Sequence, residues 1–203
     1  MTPSLETAAA ATPTRVRQRI LETALHLFTV RGYFNTSVHD VQREAGVSIG
    51  SIYNHFGGKE GIAAALYDEL LEANEALVDR LFAEHTSTHD RFRALITALF
   101  EATERDPERV GWVFHAKHTE FLPGRPPICS STPFIKIREM VKEGLQNGEL
   151  RPMDPWVAAN SLLGSTLHMI HLRLDHLITT PLPSYLDEVW QAAWRSVVNT
   201  GRD

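Results

Sequence analysis

Asp106-Pro107, Thr132-Pro133 and Asp154-Pro155 each set a helix-capping residue directly before a proline. A short polar side chain can accept a bond from the first unpaired amides of a helix. Proline in the first turn sacrifices no bond by lacking an N–H. Between such starts the apolar residues recur at spacings of three and four, the period of a helix with one buried face. Val16, Ile20, Ala24, Leu27 and Phe28 keep that repeat until Gly32, and Val38, Val41 and Ala45 keep it until Gly46. Ser48 is placed to cap a third helix with Ile52 and Phe56, which Gly57-Gly58 ends. Ile62, Leu66, Leu70, Ala73, Leu77 and Leu81 mark a long fourth helix.

Phe92, Leu95, Ile96, Leu99 and Phe100 mark a fifth, and a sixth is expected from Pro107 to about Phe121. The proline-rich stretch LPGRPPICSST reads as a loop. The other two capped prolines open a seventh and an eighth helix, the eighth running from Trp156 to about Leu177. The ninth begins near Ser184, with Leu186, Val189, Trp190, Ala193, Trp194 and Val197 on one stripe. No strand alternation appears. The expectation is an all-α chain of about nine helices: a tail over residues 1–13, a three-helix unit over 14–60, and a helical body over 61–203 entered through a connector helix at 59–82.

Composition narrows the class. The chain has 203 residues, 43% of them hydrophobic, and no apolar run long enough to span a bilayer. The first 13 residues lack the basic start and apolar block of a signal peptide and read as a disordered tail. A single cysteine, Cys129, excludes an intramolecular disulfide framework and suits the reducing cytoplasm. The net charge of −5 is unevenly spread. Residues 14–60 carry six basic side chains against four acidic, whereas residues 61–203 carry fourteen against twenty. Only the N-terminal unit is biased towards a polyanion.

The stretch from Thr36 to Glu60, TSVHDVQREAGVSIGSIYNHFGGKE, reads as helix, glycine turn, helix. Its second helix is small and polar where most helices are charged, which suits the DNA major groove. Gly50 and Ser51 permit close approach, and Ser48, Ser51 and Asn54 suit base edges. Tyr53, His55 and Lys59 suit phosphate oxygens, as do the amides near Thr36 and Ser37. His39 can reach a base or the backbone. A small helical hairpin that never meets DNA has the same spacing.

The run Thr36-Ser37-Val38, followed by Ala45-Gly46-Val47-Ser48, Gly50, Tyr53, His55-Phe56 and Lys59-Glu60, resembles the N-terminal signature of TetR-family transcriptional repressors. The match covers about Arg19 to Leu66. The resemblance implies a helix-turn-helix reader joined through its fourth helix to a divergent regulatory body. It further implies phosphate contacts from Thr36, Tyr53, His55 and Lys59, and base reading from the face between Ser48 and Asn54. One position departs from the pattern: Gln42 stands where a small alanine is usual, so it either loosens the packing or turns towards DNA.

The same resemblance implies a homodimer through helices eight and nine on a palindromic double-stranded operator, and a small-molecule effector in the body. Two-fold dimers match half-sites related by symmetry. For the dimer face the Trp190/Trp194 stripe and the small residues Ala158, Ala159, Gly164 and Ser165 are candidates. For the effector site the candidates are Trp112, His115, His118, Phe121, Phe134 and His168, aromatic surface with a few polar groups. The pairs His115/His118 and His168/His171 share an i, i+3 spacing, which keeps a zinc-sensing alternative open. Cys129 in the proline-rich loop suits a thiol sensor. A His-rich, metal-dependent helical enzyme is a further and weaker alternative; the chain has no HExxH, nucleophile elbow or phosphate-binding glycine loop, so an enzyme is not expected, and no cofactor is expected.

Overall fold

A computed structural model describes residues 13–125 and 127–201. The expected tail, apart from Pro13, falls outside the described residues, as does the side chain of Cys129, on which a thiol sensor would depend. Among the described residues the chain forms ten α-helices, two 3-10 turns and no strand beyond an isolated Leu150–Val198 bridge. It divides into two compact units, one ending at Leu66 and the other beginning at Tyr67.

In the first unit α1 (Pro13–Arg31) buries Ile20, Leu21, Ala24, Leu25, Leu27 and Phe28, the stripe its periodicity predicts. α2 (Val38–Ala45) begins at a reciprocal cap: the Ser37 hydroxyl accepts from the Asp40 amide at 3.1 Å, and the Asp40 carboxylate accepts from the Ser37 amide at 2.9 Å. These Ser37 bonds first, and Arg43 after them, hold the Asp40 carboxyl down at about 2. Gly46 closes α2 at φ +60°, a left-handed conformation that L side chains resist. α3 (Ile49–Phe56) is capped by Ser48 and stopped by Gly57 at φ +72°. α4 spans Lys59–Glu84.

The second unit holds α5 (Thr88–Arg105), α6 (Pro107–His115), α7 (His118–Phe121), α8 (Thr132–Gln146), α9 (Pro155–Leu174) and α10 (Leu186–Val197). Its core gathers Phe92, Ile96, Phe100, Met140, Leu162, Ile170 and Trp190. Asp106 and Asp154 cap α6 and α9 as expected. Three expectations give way. Thr132 is already helical, and Ser131 precedes it without a side-chain cap bond. The expected sixth helix breaks at Ala116, where the backbone is extended, yielding α6 and α7. That break turns His118 and Phe121 inward onto Trp112, so tertiary packing overrides helix propensity there. The last helix begins at Leu186, after a 3-10 turn over Leu182–Tyr185.

The Trp190/Trp194 stripe serves the fold. Trp190 is 4% exposed and stacks on Trp194 at 5.3 Å between centroids. Its Nε1 donates to His89 Nε2 at 3.2 Å. Two sets of ion pairs tie α4 to the segment before and within α8: Arg125 grips Asp68 with both terminal guanidinium nitrogens, and Lys136 reaches Glu75 at 3.0 Å and also Asp79. Among the described residues no helix is long and apolar enough to cross a membrane.

Candidate functional site

The helix-turn-helix is held by bonds that converge on its turn. Gln42 is half-buried and turns its amide back onto the turn. Its Nε2 donates to Val47 O at 3.0 Å, while the Val47 amide donates to Gln42 O at 3.2 Å, so one residue clasps the turn twice. Arg19 of α1 adds a bond from Nη2 to Gly46 O at 3.3 Å. Behind this clasp α3 is anchored by one buried side chain, Ile52. Phe56 is half-buried beneath the Arg17 guanidinium, which lies 5.6 Å from its ring centroid.

Everything else on α3 is displayed. Gly50, Tyr53 and Asn54 are exposed, Tyr53 at 55%, and Ile49, Ser51 and His55 are half-buried. The helix carries no acidic residue, so a polyanion meets no repulsion on this face. The Ser48 hydroxyl caps α3 through the Ser51 amide at 3.1 Å and lies 3.1 Å from the Ser51 hydroxyl. Its capping duty occupies part of its bonding capacity, whereas Asn54 stands clear. Ser37 and His39 are exposed at the start of α2.

Two expected phosphate contacts have work inside the fold. Thr36 is 1% exposed, and its hydroxyl lies 3.0 Å from Gly32 O and 3.3 Å from Leu27 O, donating into the end of α1. A phosphate contact through that hydroxyl is therefore not available in this arrangement. The Thr36 and Ser37 amides are likewise engaged, to Tyr33 O and the Asp40 carboxylate. Lys59 donates from Nζ to Tyr33 O at 3.0 Å and sits 4.1 Å from the Tyr33 ring centroid. Partial burial holds its pKa below the usual lysine range.

The second unit contains a cavity of about 520 Å³ lined by α4, α5, α6, α8 and α9. Of the six candidate ligand contacts only Phe134 lines it. Trp112, His118 and Phe121 instead close on one another and on Tyr67, with centroid separations of 5.0 to 5.6 Å. His118 Nε2 is buried without a hydrogen-bond partner, and burial lowers its pKa to about 4, so the ring is neutral near pH 7. His115 stacks on His171 at 5.3 Å, with Nε2 3.7 Å from Asp175, and His168 is exposed.

The helix break at Ala116 separates His115 from His118, and His171 of α9 stacks on His115. Among the described residues no group of three or more His, Cys, Asp or Glu is arranged to hold a metal ion, which leaves the zinc-sensing alternative without a site. The cavity walls that sequence reasoning missed are aliphatic, including Leu77 of α4, Leu99 of α5 and Leu163 and Leu167 of α9. In a sequence they are indistinguishable from core.

Comparison with known proteins agrees with this geometry. Residues 20–66 match the family model of bacterial regulatory proteins of the tetR family. The chain is 30% identical over 152 residues to the HTH-type transcriptional repressor KstR2 of Mycobacterium tuberculosis, covering 67% of this chain and 70% of that protein. It is 30% identical over 109 residues to the repressor AcnR of Corynebacterium glutamicum, covering 54% and 51%. Among solved structures, a TetR family transcription regulator from Marinobacter aquaeolei VT8 aligns with a TM-score of 0.75 at 18% identity, over 91% of this chain and 96% of that one. The ketosteroid transcriptional regulator KstR2 of Mycobacterium tuberculosis aligns with a TM-score of 0.70 at 20% identity, over 90% and 94%. The chain belongs to the TetR family of bacterial transcriptional regulators, and its first helices are that family's DNA-binding domain.

Proposed function

We propose that this regulator is a repressor that binds a palindromic operator as a homodimer and leaves it when a small organic molecule fills the body cavity. One observation carries the reading. α3 buries a single residue and offers an acid-free face of Ser51, Asn54 and Gly50 behind a turn clasped from both sides. Ser51 and Asn54 read base edges, with Ser48 and His39 at the margin. Tyr53, His55 and Lys59 contact phosphates. The names of the relatives, KstR2 and AcnR both being repressors, favour repression. A chromosome-bound regulator works in the cytoplasm.

The expected helices eight and nine are α9 and α10; of the tryptophan stripe Trp190 is spent inside and Trp194 is half-buried. Val157, Ser161, Gly164, Ser165 and His168 form the more exposed stripe of α9, and Ala192 is exposed on α10. Small residues allow two such faces to approach closely. An effector that binds better when α4 is displaced shifts the population away from the DNA-binding state by its difference in affinity. The test is selection of bound duplexes from a random pool, followed by sequencing. An enriched inverted repeat is expected; no enrichment at moderate salt overturns the reading.

A further inference from the structure

We infer that the body cavity takes an amphipathic organic anion, a hydrocarbon body with one acidic group, an inference that rests on the cavity being the effector site. Its volume of about 520 Å³ lies in the range of sites for drug- or lipid-sized molecules. Leu77, Leu99, Phe134, Ile137, Leu163 and Leu167 contribute its walls, and a charged group against them would lose its hydration without recompense. The body of the ligand is therefore apolar.

The charged residues of the lining are three arginines and two carboxylates, within a segment, 61–203, where acidic side chains outnumber basic ones by six. The balance inverts locally. Arg80 and Glu101 also border a neighbouring groove, and as one charge of each sign they favour neither kind of ligand. Arg105, Asp106 and Arg109 stand together where α5 passes into α6. Asp106 is already committed: its carboxylate caps α6 through the Arg109 amide at 3.1 Å and lies 3.3 Å from Arg109 Nε. That pair engages Arg109 as well, so the charge left over at this corner for a ligand is one guanidinium, that of Arg105. All the cations in the lining are arginines, whose planar forks match a carboxylate or a phosphate with two parallel bonds. An apolar trough with such a corner selects an acid over an alcohol of the same length and rejects a cation.

The experiment is calorimetric titration of the full chain, without DNA, with dodecanoate, dodecyl phosphate, dodecanol and dodecyltrimethylammonium. At least one of the two anions is expected to bind about tenfold or more tightly than dodecanol, and which one leads identifies the head group. The cation should bind no better than dodecanol. Arg105→Gln combined with Arg109→Gln should erase the advantage of the anion and leave dodecanol unchanged. Leu163→Trp, which fills the cavity, should abolish binding of both. If that variant does not fold, Leu77→Phe, at a half-buried position on α4, replaces it. Equal affinity for dodecanol and both anions in the parent, lost in the filled variant, overturns the anion while keeping the cavity. Anion binding that survives the filled variant overturns the cavity as the site. Absence of binding by every probe at millimolar concentration overturns the inference itself.

Discussion

Replacing Lys59 by methionine should produce two losses that different assays separate. The ammonium bonds Tyr33 O at 3.0 Å and lies 4.1 Å from the Tyr33 ring centroid, which ties the start of α4 to the turn between α1 and α2. A hydrogen bond from a charged donor contributes about 1.5–3 kcal/mol, and a cation over an aromatic face at a partly exposed site about 0.5–1 kcal/mol. Two effects oppose these. Partial burial disfavours the charged form, as the lowered pKa records, and solvent screens what remains exposed. The net loss should be about 1–2 kcal/mol. Hydrogen–deuterium exchange on the DNA-free protein reads it: amides in peptides spanning residues 20–37 should exchange roughly five- to thirty-fold faster, with no change in α5. The second loss appears only on DNA. If Lys59 also neutralises a phosphate, the slope of log affinity against log salt should fall in magnitude by about 0.9. Unchanged exchange in residues 20–37 would refute the strut, and an unchanged slope would refute the phosphate contact.

Asn54→Ala should alter which sequences are enriched from a random pool, whereas Tyr53→Phe should weaken binding to all sequences alike; uniform losses from both would remove Asn54 from the base readers. Gln42→Ala should cost about 1 kcal/mol by releasing Val47 O, read by chemical denaturation. A methyl group at Gly144 would lie 2.7 Å from Thr88 Oγ1 and 3.0 Å from Leu150 Cδ1, so Gly144→Ala should destabilise the second unit by about 1–3 kcal/mol. A variant as stable as the parent would mean that α5 and α8 have room to separate. His118 predicts a pH dependence. Its folded pKa, about 4, lies below the ordinary 6.5, so the unfolded chain takes up the proton first and stability falls as pH drops from 6.5 towards 4. The loss should be on the order of 2–3 kcal/mol, and His118→Phe should flatten that part of the stability profile; an identical profile would exclude His118 as its source.

The first unit was legible because its determinants are local. Ser37, Gly46, Ser48 and Gly57 act over three or four residues, and a cap or a left-handed glycine can be read without knowing what packs where. Long-range bonds explain what was not legible there. Thr36 reads as an exposed turn residue until Leu27 of α1 and Gly32 just beyond it supply carbonyls to its hydroxyl, and Gln42 has no obvious partner until the turn brings Val47 back to it. The body was harder for a different reason. An aromatic and an aliphatic residue both satisfy a helical stripe, and only three-dimensional packing decides which stripe leaves a gap. The aromatics Trp112, His118 and Phe121 filled their own space, and the gap fell among leucines. Trp190 follows the same rule: its burial required His89, a hundred residues away, to come alongside.

The ion pairs between α4 and the α8 side give the cavity walls of unequal stiffness. Asp68 and Asp79 bracket the α4 residues Leu70, Ala73, Asn74 and Leu77 that line it, while Arg125 and Lys136 bracket Pro133 and Phe134 opposite. The α5 and α9 walls are backed by close-packed core around Phe92, Phe100 and Leu162, which yields little. Exposed ion pairs are weak, and dissolved salt weakens them further. If the cavity is the effector site, an oversized guest should find the α4 wall the more yielding one. On that reading ionic strength should act as a tuning knob, softening the wall in brine and stiffening it in dilute buffer.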